Sequence, residues 1–201
     1  MSTQTKQSLS TMTPEKALNL LKEGNRRFIE GRPLDRNLLE QTKETYANQY
    51  PFAVILGCID SRAPLELVFD QGIGDIFGVR IAGNFVNKDI LGSMEFATKV
   101  VGSKHILVLG HTNCGAIQGA NDLVELGNLT GLLHKLQPAV EAVKKKQGQN
   151  PDIDDIAREN VLFTVEEIKS RSKIIRDLVN EGQLAISGAM YDVANGEVTF
   201  L

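Results

Sequence analysis

The chain has 201 residues, of which 42% are hydrophobic and 23% are charged, and its formal net charge is -3. This length and apolar content allow one large domain with its own core, and the slightly negative charge excludes a strongly basic surface for nucleic acid. No apolar run reaches the roughly 18 residues of a membrane-spanning helix and the polar N-terminus lacks a secretory signal, so we expect a cytoplasmic protein with neither nucleic-acid nor membrane partners.

The first 48 residues are predicted to form a helical arm. Its first ten residues are polar and are expected to be loose, whereas Thr13 and Pro14 form the expected start of a helix that runs to about Glu30. A second, short helix is predicted over 37–48. The apolar residues of the first helix recur at helical spacing, and this stripe must be buried either on the chain's own sheet or on a second subunit.

From residue 49 onward the pattern changes to alternating strands and helices. Strands are predicted over 52–57, 76–82, 105–110 and 184–190, with a possible edge strand over 197–201. Helices are predicted over 63–71, 90–102, 115–126, 128–147 and 151–182, the last of them broken. This alternation favours an α/β fold in which helices flank a mostly parallel central sheet, and residues 1–201 are expected to form one domain, with 1–48 as the arm and 49–201 as the α/β core.

The two cysteines of the chain lie in short segments whose residue types bind metals. Cys58 precedes Asp60 by two residues, and His111 precedes Cys114 by three. Both segments directly follow predicted strands, and open α/β sheets bind ligands at the carboxyl ends of their strands. Thiolate and imidazole are ligands that zinc prefers, with carboxylate also accepted. The sequence therefore predicts one Zn2+ per chain, with Cys58, His111 and Cys114 as ligands.

Asp60 admits two arrangements at such a site. It can complete a closed tetrahedron, or it can pair with Arg62 and leave the fourth position to water. Zinc lowers the pKa of a bound water to roughly 7, so the open arrangement is the catalytic one. A closed site that only joins two strand ends is the structural alternative. A Cys58–Cys114 disulfide would leave the histidine and the carboxylate unexplained.

These segments resemble those of a β-class carbonic anhydrase. The resemblance extends through residues 74–77, 80–84, Glu95 and 188–192, and it covers roughly residues 45 to 200, with the helical arm also fitting. It implies a parallel sheet of four strands with an added edge strand, and assembly as a homodimer or a dimer of dimers. It also implies Cys58, His111 and Cys114 as zinc ligands and Asp60 with Arg62 as the catalytic pair.

The resemblance further implies how the substrate is bound. Gln49 would reach it from the partner subunit, a backbone amide near Gly115 would face its oxygen, and an apolar wall would consist of Phe77, Ala82 and Phe96. Ala82 replaces a larger aliphatic residue of the family, and Phe96 replaces a tyrosine. The pocket is therefore expected to be roomier and less polar at one edge.

The function implied is the reversible hydration of carbon dioxide to bicarbonate and a proton, by attack of zinc-bound hydroxide. Hydrolysis of carbonyl sulfide or carbon disulfide at the same site is an alternative, and a non-catalytic zinc protein that senses bicarbonate is another. One branch of the family closes its zinc site with the aspartate, using a regulatory bicarbonate pocket of a Trp, an Arg and a Tyr. Here Arg80 and Tyr191 match, but Ile55 replaces the Trp, so we expect Asp60 to pair with Arg62 near neutral pH.

Overall fold

Five strands form one sheet in the computed structural model, which describes residues 3–201. The strands are β1 (Ala53–Gly57), β2 (Ile76–Arg80), β3 (His105–His111), β4 (Ala185–Tyr191) and β5 (Val198–Phe200). Their order is β2-β1-β3-β4-β5, with the first four parallel and β5 antiparallel to β4. This confirms the predicted α/β fold with four parallel strands and an added edge strand.

Helices flank this sheet. Within residues 3–201 they are α1 (Lys6–Ser10), α2 (Pro14–Ile29), α3 (Leu38–Glu44), α4 (Leu65–Val68), α5 (Lys88–Glu95), α6 (Gly115–Asn121), α7 (Gly127–Leu133), α8 (Gln137–Gln147), α9 (Ile153–Arg171) and α10 (Lys173–Asn180). A π-helical segment, Phe96–Val101, continues α5, and a short 3-10 helix, His134–Leu136, joins α7 to α8. None of the helices described is both long and apolar enough to cross a membrane.

The expectation that the first ten residues are loose was wrong for residues 6–10, while residues 1 and 2 lie outside the described part. Thr5 and Ser8 form a reciprocal capping box, in which each side chain accepts a hydrogen bond from the other's backbone amide. Leu9 is buried and packs in the core cluster of the arm side. Capping and burial of one leucine therefore order a segment whose composition is polar.

Several predicted helices are shorter than the sequence pattern indicated. The helix predicted over 63–71 occupies only α4 and is followed by Asp70 in the left-handed region, with φ at 45°. The helix predicted over 115–126 ends at Asn121, and that predicted over 128–147 is divided, with Pro138 in the first turn of α8. The predicted break within 151–182 is confirmed at Ser172, whose hydroxyl caps α10 by accepting from the Ile175 amide.

Both faces of the sheet are buried under helices. In β1, Val54 and Leu56 belong to the cluster covered by α5 to α10, whereas Ala53 and Ile55 belong to the cluster covered by the arm. The central strand β3 alternates in the same way and is buried along its whole length. Burial on both faces explains why these strands are continuous apolar runs, as parallel strands between two helical layers are.

The arm helix α2 packs on the chain's own sheet. Its Ala17 and Leu21 are fully buried in the arm-side cluster. Gly24 lies so close to the backbone of Phe69 that a Cβ on Gly24 would be 1.8 Å from the Phe69 carbonyl oxygen, so only glycine fits. The next residue, Asn25, donates to the carbonyls of Val68 and Gly196 and accepts from the amide of Val198.

A buried carboxylate also fixes the arm. Asp70 accepts hydrogen bonds from the guanidinium groups of Arg27 and Arg36, and from the Leu34 amide at 3.2 Å. The Asp70 side chain is only 4% exposed, so its charge is compensated by these donors and not by water. The cluster joins α2 and the segment before α3 to the loop that precedes β2.

We expect Asp70→Asn to lower the free energy of unfolding by about 3 kcal/mol, because two partly buried arginines lose their buried counter-charge. Asparagine tolerates the left-handed backbone of this position, so the change isolates the charge. Urea denaturation would measure it. Glu166→Gln is the matched control: its ion pair with Lys169 is exposed, so the loss should stay below about 0.5 kcal/mol. Equal stability of the two variants would contradict a stabilising role for the Asp70 cluster.

Candidate metal centre

The sheet order brings the two cysteine segments together. β1 and β3 are parallel neighbours, with Gly57 paired to Leu109, so their carboxyl ends meet at the same edge. Cys58 directly follows β1, and His111 is the last residue of β3, with Cys114 at the turn into α6. One donor atom from each of these three residues lies within 4.8 Å of the others, and all three residues are buried.

The His111 ring is prepared to act as a ligand through Nε2. Its Nδ1 lies 2.9 Å from the carbonyl oxygen of Thr112, which accepts a hydrogen only if Nδ1 carries it. Nε2 then presents a lone pair, and this atom is buried with no hydrogen-bond partner among residues 3–201. A buried nitrogen without a partner beside two thiols fits a bound metal ion, which would satisfy it.

The two thiols influence each other's protonation. Cys58 and Cys114 are free cysteines and not a disulfide. The neighbouring Cys114 lowers the pKa of Cys58 most strongly, and the nearby His111 lowers it further, although burial opposes the shift. The same contact with Cys58, together with burial, raises the pKa of Cys114. The lowered pKa of Cys58 favours its thiolate, which is the ligand form of cysteine, and the donor set of two sulfurs and one nitrogen suits zinc.

Asp60 lies next to the three donors, but its oxygens are engaged elsewhere. Arg62 donates to them from Nε at 3.0 Å and from Nη2 at 2.8 Å, and its backbone amide adds a bond of 2.9 Å. These bonds hold the pKa of Asp60 well below its usual range, with the Arg62 side chain as the largest cause. Asp60 Oδ2 is 3.8 Å from His111 Nε2, so an ionised acceptor flanks the cluster.

Side chains from distant elements support the turn that carries Cys58 and Asp60. Arg80 donates to the carbonyl oxygens of Cys58 and Asp60 at 2.8 and 2.6 Å. Tyr191 donates to that of Arg62 at 3.2 Å. The family resemblance places Arg80 and Tyr191 only in a regulatory pocket, and it does not indicate this supporting contact. The resemblance of residues 80–84 to the family was the available sequence signal for the role of Arg80.

The second metal-binding turn has its own supports. The Asn113 amide donates to Asp154 at 2.8 Å, and Arg62 Nη2 donates to the Asn113 carbonyl at 3.2 Å. The Thr112 amide donates to the carbonyl of Tyr191, at the end of β4. Asp154 was not identified from the sequence, because its position on α9 gives no local indication of this contact.

The predicted substrate residues are only partly brought together within one chain. Ala82 adjoins Gly83, whose amide lies 3.4 Å from Cys58 Sγ, and Gly115 directly follows Cys114. Phe77 and Phe96 pack edge to face, with ring centroids 6.3 Å apart.

These two aromatic residues and Arg80 line an open cleft of about 840 Å³ at the free edge of β2. Gln49 is exposed and lines a separate cleft of about 380 Å³ with Thr45 and Gly74. The cleft of Gln49 therefore lies apart from the cleft that the aromatic residues line.

The sequence is similar to that of known carbonic anhydrases over most of its length. Residues 53–198 match the family model described as carbonic anhydrase. Carbonic anhydrase 2 of Mycobacterium tuberculosis is 37% identical over 189 residues, covering 91% of this chain and 90% of that protein. The carbonic anhydrase of Mycolicibacterium smegmatis is 35% identical over 191 residues, covering 92% of each.

Solved structures give the same assignment. The Coccomyxa β-carbonic anhydrase in complex with acetazolamide has a TM-score of 0.73 at 27% identity, covering 92% of this chain and 86% of that one. One of two tetrameric β-carbonic anhydrases from Sordaria macrospora has a TM-score of 0.72 at 25% identity, covering 79% of this chain and 84% of that one.

Proposed function

The chain belongs to the β-class carbonic anhydrases, and we propose that it catalyses the zinc-dependent, reversible hydration of carbon dioxide to bicarbonate and a proton. The observation that carries this proposal is the buried cluster of Cys58, His111 and Cys114, with the ionised Asp60 beside it and engaged by Arg62. Catalytic zinc sites typically have three protein ligands and a fourth coordination position left for water or substrate, whereas structural sites use four protein ligands.

When bound by these three residues, zinc would supply the Lewis acidity that lowers the pKa of a water molecule to about 7 and so yields hydroxide near neutral pH. Asp60 can only accept hydrogen bonds, because Arg62 keeps it ionised. It would accept the hydrogen of the attacking oxygen and thereby direct a lone pair of that oxygen towards the carbon of the substrate. The role of Arg62 is to fix both the charge and the direction of this carboxylate.

The substrate pocket would be completed by a second subunit. The aromatic pair Phe77 and Phe96 lies at the free edge of β2, and Phe96 is 50% exposed in the single chain. A second copy against this edge would cover both rings and bring its Gln49 towards the neighbouring centre. Ala82 would complete the apolar wall, and the backbone amide near Gly115 would face the substrate oxygen. We infer a homodimer or a dimer of dimers, acting in the cytoplasm.

The open arrangement of Asp60 is also part of the proposal. Arg80 and Tyr191 donate to backbone carbonyls of the 58–62 turn. Ile55, which stands where the gated branch has a tryptophan, is fully buried in the sheet. These contacts favour a fixed turn in which Asp60 remains hydrogen-bonded to Arg62 near neutral pH.

Stopped-flow hydration of carbon dioxide, on protein with verified zinc content, tests the function between about pH 7 and 9. We expect rapid turnover already at pH 7, because Asp60 leaves the fourth position free. Activity that appears only at the alkaline end would contradict the open arrangement. Inactivity at every pH, with release of sulfide from carbonyl sulfide or carbon disulfide, would favour the hydrolase. The smaller Ala82 and the less polar Phe96 favour that alternative. Inactivity towards all three substrates would leave the bicarbonate sensor.

Zinc binding is tested by comparing two buried histidines of the same strand. His111→Gln should lower the affinity for zinc by more than about 100-fold, because loss of a residue behind a metal ligand already costs roughly 10- to 100-fold. Competition with a chelator would measure this affinity. His105→Gln is the control, since His105 begins β3, bonds to Ser187 at 2.8 Å and has its pKa lowered to about 4 by burial. Similar affinities in the two variants would argue against His111 as a ligand.

Arg62→Ala should lower kcat by at least about 100-fold, because Asp60 loses the partner that orients it. Zinc stoichiometry should remain one per chain, since the three ligands are intact. The control is Arg32→Ala, which removes an exposed ion pair with Glu30 on the arm. Full activity of Arg62→Ala would refute the role of the Asp60–Arg62 pair.

A further inference from the structure

A backbone amide donates a hydrogen bond to one of the metal-binding sulfurs. The amide of Gly83 lies 3.4 Å from Cys58 Sγ. Gly83 belongs to a turn in which the Asn84 amide donates to the carbonyl of Ile81 at 2.9 Å. The amide of Ile81 in turn donates to the carbonyl of Gly57, so this turn is tied to the residue before Cys58.

Only glycine is readily accommodated at position 83. Its φ of +76° is a backbone conformation that other residues rarely adopt. A Cβ at Gly83 would also lie 2.7 Å from Cδ1 of Leu136, which is fully buried. The turn therefore has no room for a side chain, and its backbone approaches the sulfur directly.

A distant side chain holds the other polar group of Gly83. Asn160, on α9, is 3% exposed, and its Nδ2 donates to the Gly83 carbonyl at 2.8 Å. Gly83 is thus bonded through its amide to the sulfur and through its carbonyl to Asn160. Loss of the Asn160 donor would leave a buried carbonyl unsatisfied, and the turn would have to move to find another partner.

We propose that Asn160 is a positioning residue for the metal centre, which keeps the Gly83 amide on the Cys58 sulfur and thereby sets how much charge this sulfur donates to the metal. An N–H donor withdraws charge from a thiolate, so the metal keeps more of its Lewis acidity. Partners behind a metal ligand act in this way on both its orientation and its donor strength. The inference rests on the proposed function only in taking Cys58 as a zinc ligand.

Thr164 provides a matched control on the same helix. It lies one turn beyond Asn160 and is also 3% exposed. Both residues line the same cavity of about 360 Å³, on the side of α9 that also bears Phe163. Unlike Asn160, Thr164 makes no side-chain hydrogen bond to Gly83 or to another residue within 3–201.

The test compares Asn160→Leu with Thr164→Val in cobalt-substituted protein. Removing the donor should move the thiolate-to-cobalt absorption to longer wavelength, because a sulfur without its N–H partner holds its electrons at higher energy. Zinc affinity, measured by competition with a chelator, should fall roughly 10- to 100-fold. Thr164→Val should leave both quantities unchanged.

Two results would overturn the proposal. One is an unshifted absorption with unchanged zinc affinity in Asn160→Leu. The other is an equal change in Thr164→Val, which would show that packing of α9 is the cause. If Asn160→Leu does not fold, Asn160→Ala removes the same donor with less bulk and should shift the absorption in the same direction. Both readouts are independent of carbon dioxide turnover, so an inactive enzyme would not be mistaken for a failure of this proposal.

Discussion

The parallel pairing of β1 with β3 is the constraint on which the metal centre depends. Cys58 and His111 are distant in sequence and meet only because Gly57 and Leu109 are register partners near the ends of these strands. Burial on both faces fixes this register, since a slip by one residue would turn each side chain towards the opposite layer. It would also displace Cys58 along the strand by about 3.3 Å, which is more than a metal site tolerates.

The strands bring the ligand residues together, but side chains hold the turns. Beyond the strand ends, backbone carbonyls have no neighbours in the sheet and need other donors. Arg80 and Tyr191 supply them on the first turn, and Arg62 donates both to Asp60 and to the carbonyl of Asn113 on the second. One guanidinium group thus joins the two metal-binding turns. Movement of Asp60 away from Arg62 would break this link, so the position of the carboxylate is coupled to the arrangement of the two turns.

The sequence predicted what depends on local pattern. Apolar runs indicated the strands, and the Cys58 and His111 segments indicated the metal cluster, because ligand types and strand ends are both visible in the residue order. It did not predict α1, whose order depends on burial of Leu9. Nor did it reveal Asn160 or the Asp70 cluster. Their contacts join residues far apart in the chain, and an asparagine on a helix or an aspartate in a loop has no periodicity that identifies its partner.

The edge strand β2 is hydrogen-bonded to the turn that carries Cys58 and Asp60. β2 is one of the two edge strands of the described sheet, opposite β5, and exposed edges are usually protected or paired. Its Phe77 contacts Phe96, the first residue of the π-helical segment, and its last residue, Arg80, bonds to the carbonyl oxygens of Cys58 and Asp60. A molecule that covers the β2 edge therefore lies against the strand that also fixes the metal-binding turn. Changes on this edge should therefore affect the backbone at Cys58 and Asp60 through Arg80, without direct contact with the three clustered donor side chains.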